Sequence, residues 1–459
     1  MSTTGMVGYL EETVTGRFDP VVAGARLAAA GLFGPYVVYE GGGACTFAGG
    51  VLGEVIVHED RVRTRWRDTV TDLPLSDRPL RQVGDALAAL PWPGWNAYGW
   101  VEFELADPSA RADTPAPRLH LTVPLTEVVI RPDRVRIRST DPDAVSRVRR
   151  LLAEPAGPQP RPAVPIEVSG GADEYRAAVA AAVEEIRRGG LQKVILSRSL
   201  PVPFPVDLVD TYLRGRAANT PARSFLLDLG GRRAVGFSPE TVVEVTPDGR
   251  VETQPLAGTR ALGLGHRTDD RLTTELLGDP KEVYEHAVSV KLAYDELRAV
   301  CDPDTVAVTE LMAVRRRGSV QHLASRVGGQ LAGVRTAWDA LAAVFPAVTA
   351  SGIPKAAAYA CIRRHETQRR GLYAGAVLAA SSDGSLDACL VLRTLFEEDG
   401  RAWLRAGAGV VAGSVPQREY EETCEKLRSI APHVVPAASS ADPERDKLHK
   451  QHLTFDTPS

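Results

Sequence analysis

The residues whose types and spacing could do chemistry lie beyond Gln192. One group sits in Trp403–Leu427 (W-L-R-A-G-A-G-V-V-A-G-S-V-P-Q-R-E-Y-E-E-T-C-E-K-L), where a β-like run, a glycine-rich stretch and an acidic helix start follow one another. Glu419, Glu422 and Lys426 stand at i, i+3 and i+7, so a helix presents them on one face. Two carboxylates and an ammonium facing a loop of free backbone N–H groups can hold a hard cation and an anionic ligand together. The same spacing also fits a solvated helix with an ordinary Glu422–Lys426 pair. Glu282 and Glu285 lie one turn apart beside His286. That is not the H-E-x-x-H of a zinc helix. A carboxylate there, paired with Glu422, makes an oxygen-only site, which favours Mg²⁺.

The other candidates are single residues in apolar surroundings. Lys193 lies in Gln192-Lys-Val-Ile-Leu-Ser-Arg198, on the strand face of Ile195 and Ser197. It is either an edge lysine reaching solvent or a desolvated amine able to act as a base. Glu240 ends Gly236-Phe-Ser-Pro-Glu240; it is an exposed strand-end carboxylate or a general acid against an apolar wall. Pro255-Leu-Ala-Gly-Thr-Arg260 reads as a turn carrying a hydroxyl and a guanidinium. His322 is a lone histidine, more often structural than catalytic. Arg393, within Leu390-Val-Leu-Arg-Thr394, is costly to bury unpaired and so wants a carboxylate from the protein or a ligand.

Composition bounds what these groups can serve. In 459 residues, 44% are hydrophobic and 24% charged, as in a globular protein with a large core. A net charge of −4 gives no basic field for nucleic acid or a membrane surface. No apolar run reaches the roughly 18 residues that span a bilayer, and Met1–Gly16 has no secretory pattern. Five scattered cysteines (Cys45, Cys301, Cys361, Cys389, Cys424) argue against a disulfide framework and suit the cytoplasm. Neither GxGxxG after a strand nor GxxxxGK[ST] occurs.

The elements that must position the candidates follow from periodicity. Residues 1–153 alternate short apolar runs and turns: strands at Tyr36–Tyr39, Val55–Val57 and Val128–Ile130, a helix at Pro20–Ala30, and a core patch of Trp92, Trp95 and Trp100. Ala153–Pro165 is a proline-rich connector. Residues 166–436 follow, with helices at Glu174–Arg188, Lys281–Val300, Thr336–Val344 and Pro354–Arg364. Strands are expected at Gln192–Leu200 and twice within Ser224–Val245, and Leu372–Val410 reads as a meander with turns at Ser382-Asp-Gly384 and Asp399-Gly400. Residues 437–459 form a polar, loosely held tail. Hairpin strands with grouped helices suggest an α+β fold.

The region Lys193–Leu427 resembles the chorismate-utilising enzymes, closest to the salicylate synthases of siderophore pathways. The carrying segments are Lys193-Val-Ile-Leu-Ser-Arg198, Phe237-Ser-Pro-Glu240, Pro255-Leu-Ala-Gly-Thr-Arg260, Pro280-Lys-Glu-Val-Tyr-Glu-His286, Gly318-Ser-Val-Gln-His-Leu323, Phe345-Pro-Ala-Val-Thr-Ala-Ser-Gly-Ile-Pro-Lys355, Arg370-Gly-Leu-Tyr373, Leu404-Arg-Ala-Gly-Ala-Gly409 and Arg418-Glu-Tyr-Glu-Glu-Thr-Cys-Glu-Lys426. The resemblance implies two large antiparallel β-sheets packed together and flanked by helices, with residues 1–153 contributing to the same fold. It implies Lys193 as the base that activates water to attack C2 of chorismate, and Glu240 as the acid for the C4 hydroxyl. It implies Glu285 and Glu422 as Mg²⁺ ligands, with Glu419 close to the metal. Tyr373, Arg393 and the backbone at Gly407 match a clamp on the pyruvyl carboxylate. Thr259, His322, Thr349 and Lys426 match other pocket positions.

Lys193 suits water rather than ammonia as nucleophile, and no glutaminase segment is fused or subunit expected. Ala257 stands where aminodeoxychorismate synthases carry an attacking lysine. The expectation is therefore a Mg²⁺-dependent salicylate synthase taking chorismate through isochorismate to salicylate and pyruvate, as a cytoplasmic monomer. An isochorismate synthase that stops at the first product, and a non-catalytic binder of chorismate or aromatic acids, stay open.

Overall fold

A computed structural model describes residues 8–107, 109, 116–154 and 159–438. Its strands form two large antiparallel sheets, of 11 and 12 strands, and one small pair, Val206–Asp207 with Val435–Pro436. Ten α-helices lie around them among the described residues. Both sheets contain strands from the first third of the chain and from the rest. Tyr36–Gly41 pairs with Arg223–Leu229 in the larger run of the first sheet, and Asn96–Val101 pairs with Ala376–Ser381 in the second. Trp92, Trp95 and Trp100 are core residues, as expected from the sequence.

Helix Pro280–Arg298 begins where capping chemistry dictates. Asp279 accepts from the backbone N–H groups of Lys281 and Glu282, and Pro280 occupies the first turn of helix Pro280–Arg298. That start sets the phase which turns Glu282, Glu285, His286 and Ser289 inward, all buried. Helix Pro416–Leu427, also opened by a proline, turns Glu419, Glu422 and Thr423 inward. Helix Ala172–Arg187 stops at Gly189 and Gly190, both at positive φ.

Two crossings between the sheets carry the centre of the molecule. Arg232–Ser238 belongs to the 11-stranded sheet and Thr241–Val245 to the 12-stranded one, so Pro239 and Glu240 form the link. Leu386–Leu390 and Thr394–Glu398 are likewise in different sheets, linked through Val391–Arg393. The links are tied together: Ser238 Oγ donates to the Leu390 carbonyl (2.6 Å) and the Phe237 N–H to the Arg393 carbonyl (3.2 Å). The expected meander over Leu372–Val410 is therefore two hairpins in two sheets, although both turns fall where the sequence puts them.

Three further expectations change. Gly407 and Gly409 lie within strand Arg401–Val410, not in a loop; below Leu404 the strand has partners on both sides, but Gly407–Val410 pair only with Lys193–Val202. Pro255–Arg260 is mostly strand Leu256–Ala261, with a bulge at Gly258, because cross-strand pairing with Val320–Gln330 outweighs the local turn signal. Lys193 is no edge lysine: it pairs with Ile353 and its side chain is completely buried. Helix His266–Gly278 and the hairpin Ala307–Arg317/Val320–Gln330 were not anticipated as elements. Residues 155–158 of the connector and 439–459 of the tail lie outside the described residues. No helix among the described residues is long and apolar enough to cross a membrane.

Candidate active site

Between the sheets is a cavity whose wall includes Glu240, Thr259, Glu285, His322, Thr349, Tyr373, Arg393, Gly407, Glu422 and Lys426. Glu240 reaches it from the first crossing. Its carboxyl accepts from Thr349 Oγ1 (2.8 Å) and from the Leu256 N–H (3.0 Å). Both donors favour the ionised form, as do Lys193 and Arg393 nearby, yet burial outweighs them and raises the pKa to about 8. The group is thus a neutral acid at neutral pH. Thr349 acts on it directly, by fixing its orientation.

Opposite chemistry gathers where helices Pro280–Arg298 and Pro416–Leu427 meet. Glu282, Glu285, Glu419 and Glu422 are all buried there. Burial works against the Glu285 charge, but Lys193 and Lys281 reverse it and hold its pKa below the ordinary value. Glu422 is pulled down to about 2 against its burial by Lys426, Lys281 and Arg418. Glu419 goes the other way, raised to about 7 by burial. Gly409 makes room for this cluster: a Cβ there would sit 2.0 Å from Glu285 Oε1. Both oxygens of Glu419 and Oε2 of Glu282 are buried and accept no hydrogen bond. Buried carboxylate oxygens with unused lone pairs, and no sulfur or imidazole among them, fit a hard cation such as Mg²⁺.

The third component is a cationic wall. Arg393, at the second crossing, is buried, with φ +51. Its guanidinium donates to the Arg317 carbonyl (3.2 Å) and to His322 Nε2, and among the described residues it has no ion pair. Burial, with Arg317 adding to it, lowers its pKa to about 9. Because arginine only donates, His322 Nε2 must accept, which leaves the proton on Nδ1 facing the Gly258 carbonyl (3.2 Å) and Thr259 Oγ1 (3.2 Å). Burial and Arg393 push the His322 pKa well down, so it stays neutral. Lys426 bridges Glu422 (2.8 Å) and the Gly407 carbonyl (2.8 Å). Tyr373 Oη comes so near strand Arg401–Val410 that a Cβ on Gly407 would lie 2.9 Å from it. A buried guanidinium with no ion pair, beside a neutral histidine, can receive an anion.

Ten of the twelve candidate residues thus line one cavity. Lys193 and Glu419 stand behind its wall. Lys193 Nζ donates to Ser289 Oγ (2.9 Å) and pairs with Glu285 Oε1 (3.0 Å). Glu419 pairs with Lys281 (3.2 Å). Sequence reasoning missed Lys281, Ser289 and a buried brace around Glu366. That carboxylate accepts from Ser197 N–H and Oγ, from Arg370 and from Arg405. Arg370 and Arg405 also pack over the Tyr373 ring, 5.7 and 5.3 Å from its centroid. The i,i+4 spacing of Glu366 and Arg370 is a signal that could have found the brace.

With this geometry in view, comparisons with known proteins become specific. The pattern of the chorismate binding enzymes matches residues 44–432. A salicylate synthase of Mycolicibacterium paratuberculosis is 44% identical over 405 residues, 87% of this chain and 90% of that protein. Anthranilate synthase component 1 of Acetivibrio thermocellus is 41% identical over 249 residues, but these are 54% of this chain and 50% of that one. The crystal structure of anthranilate synthase component I from Streptococcus pneumoniae TIGR4 superimposes with a TM-score of 0.71 at 27% identity, covering 84% of this chain and 92% of the other.

Proposed function

Since the chain belongs to the family of chorismate binding enzymes, we propose that it is a salicylate synthase, converting chorismate through isochorismate to salicylate and pyruvate. The observation that carries the reading is the buried, neutral Glu240 facing the same cavity as the unpaired Arg393. One supplies a proton and the other awaits a carboxylate. Likeness to a salicylate synthase along nearly its whole length, with Ala257 rather than a lysine in the cavity wall, supports this member of the family over its relatives.

In the first step water adds at C2 as the C4 hydroxyl departs, so one proton is taken and one given at separate points of the ring. Lys193, once it has given up its own ammonium proton, takes the proton from the incoming water; Ser289 and Glu285 fix its Nζ. Glu240 gives its proton to the leaving hydroxyl, which departs as water, so water is conserved across the step. Arg393, with Tyr373 and the backbone at Gly407, holds the pyruvyl carboxylate by directed donors. Glu285 and Glu422, with Glu419 beside them, would hold Mg²⁺, which when bound neutralises and orients the ring carboxylate. In the second step the C2 hydrogen moves to the methylene of the enolpyruvyl group while its ether bond to the ring breaks. Pyruvate leaves and the ring becomes aromatic. No external acid or base is needed, so cavity shape governs this step.

The test is incubation with chorismate and Mg²⁺, followed by salicylate fluorescence and product chromatography. Salicylate with equimolar pyruvate is the expected result. Isochorismate as the sole end product would overturn the reading, and binding without turnover would make the protein a chorismate receptor.

A further inference from the structure

Three lysines face the carboxylate cluster, and they are held differently. Lys193 has a neutral anchor in Ser289 Oγ, and Lys426 has one in the Gly407 carbonyl. Lys281 is held by carboxylates: its Nζ lies 3.2 Å from Glu285 Oε2, 3.2 Å from Glu419 Oε1 and 3.5 Å from Glu282 Oε1. Three carboxylates from two helices thus converge on one ammonium. This is the multi-oxygen arrangement that a divalent ion requires. An ammonium and a metal ion cannot share it, because Mg²⁺ draws its oxygens to about 2.0–2.1 Å and leaves no room for a second cation among them. Lys281 is in the first turn of its helix, and its side chain keeps 19% of its exposure. A swing of that flexible stem toward solvent therefore breaks no packed core.

We propose that Lys281 is a resident competitor for the cation site: it neutralises Glu282, Glu285 and Glu419 until a divalent ion displaces it. The inference rests on the Mg²⁺ assignment of the proposed function and adds to it the residue that sets the affinity. Without the ammonium, the metal-free cluster would hold several buried carboxylates in mutual repulsion, and Glu419 would lose its ion-pair partner. With it, every binding event must first break three ion pairs. The lysine therefore stabilises the metal-free protein and weakens metal binding through the same contacts.

The experiment uses the full chain stripped with EDTA. MgCl₂ binding without chorismate is measured by calorimetry for the wild type and Lys281→Gln, and thermal unfolding is followed in EDTA and in saturating MgCl₂. Lys281→Gln should bind Mg²⁺ about tenfold tighter, a coupling of ordinary size. It should melt below the wild type in EDTA, with the gap closing in MgCl₂. Lys281→Met, which keeps the apolar stem, should behave alike and serves if the glutamine variant does not fold. Mg²⁺ binding that is unchanged or weaker in the variants, with a wild type that binds normally, overturns the competitor role and leaves the proposed function standing. A wild type that neither binds Mg²⁺ nor yields salicylate overturns both.

Discussion

Replacing Glu240 by glutamine separates the proton of the candidate acid from its shape. An amide fits the site: its oxygen can accept from the Leu256 N–H, and its NH₂ can donate to Thr349 Oγ1, whose hydroxyl hydrogen is free to turn. The variant should therefore fold. Moving a carboxyl from its usual 4.5 to about 8 disfavours the ionised form by on the order of 5 kcal/mol. The sign follows from linkage. Between pH 4.5 and 8 the folded protein binds a proton at Glu240 that the unfolded chain has released, so stability falls as pH rises. The favourable contribution is complete below about pH 4.5 and is gone above about pH 8. Urea unfolding at pH 5 and pH 8.5 should show the wild type losing several kcal/mol more than Glu240→Gln. Kinetically, loss of a general acid costs about 10²–10⁴-fold, and it should fall on isochorismate formation alone. Isochorismate supplied directly should still yield salicylate and pyruvate at a rate near that of the wild type. Parallel stability curves would show that Glu240 is not a buried neutral acid. Normal turnover of chorismate would remove it from the proton transfer.

Other substitutions probe the remaining parts of the site. Lys193→Gln should lose water addition by about 10²-fold or more while keeping its circular dichroism spectrum; near-normal isochorismate formation would exclude Lys193 as the base. Arg393→Gln should raise the KM for chorismate about tenfold or more, since a charge-assisted pair contributes about 1.5–3 kcal/mol. An unchanged KM would move the anion site elsewhere. Gly409→Ala places a Cβ 2.0 Å from Glu285 Oε1, so it should weaken Mg²⁺ binding seen by calorimetry; unaltered Mg²⁺ affinity would disconnect Glu285 from the metal.

The parts of this site differ in how far sequence could expose them. Glu419, Glu422 and Lys426 were legible as one helical face because their spacing is local, and Pro416 starts the helix that fixes it. Arg393 was legible as a cost: a guanidinium in an apolar run needs an anion, and among the described residues it has no ion pair. The raised pKa of Glu240 was a possibility but not a deduction, since burial depends on residues distant in the chain, Thr349 among them. The sheet crossings were illegible for the same reason. Pro239-Glu240 looks like any strand end, and only pairing of Arg232–Ser238 and Thr241–Val245 with different partners makes it a bridge. Lys281 shows the limit most plainly. Next to Glu282 and four residues before Glu285, it reads as an ordinary surface pair. Glu419, 138 positions later, closes on the same ammonium from a second helix.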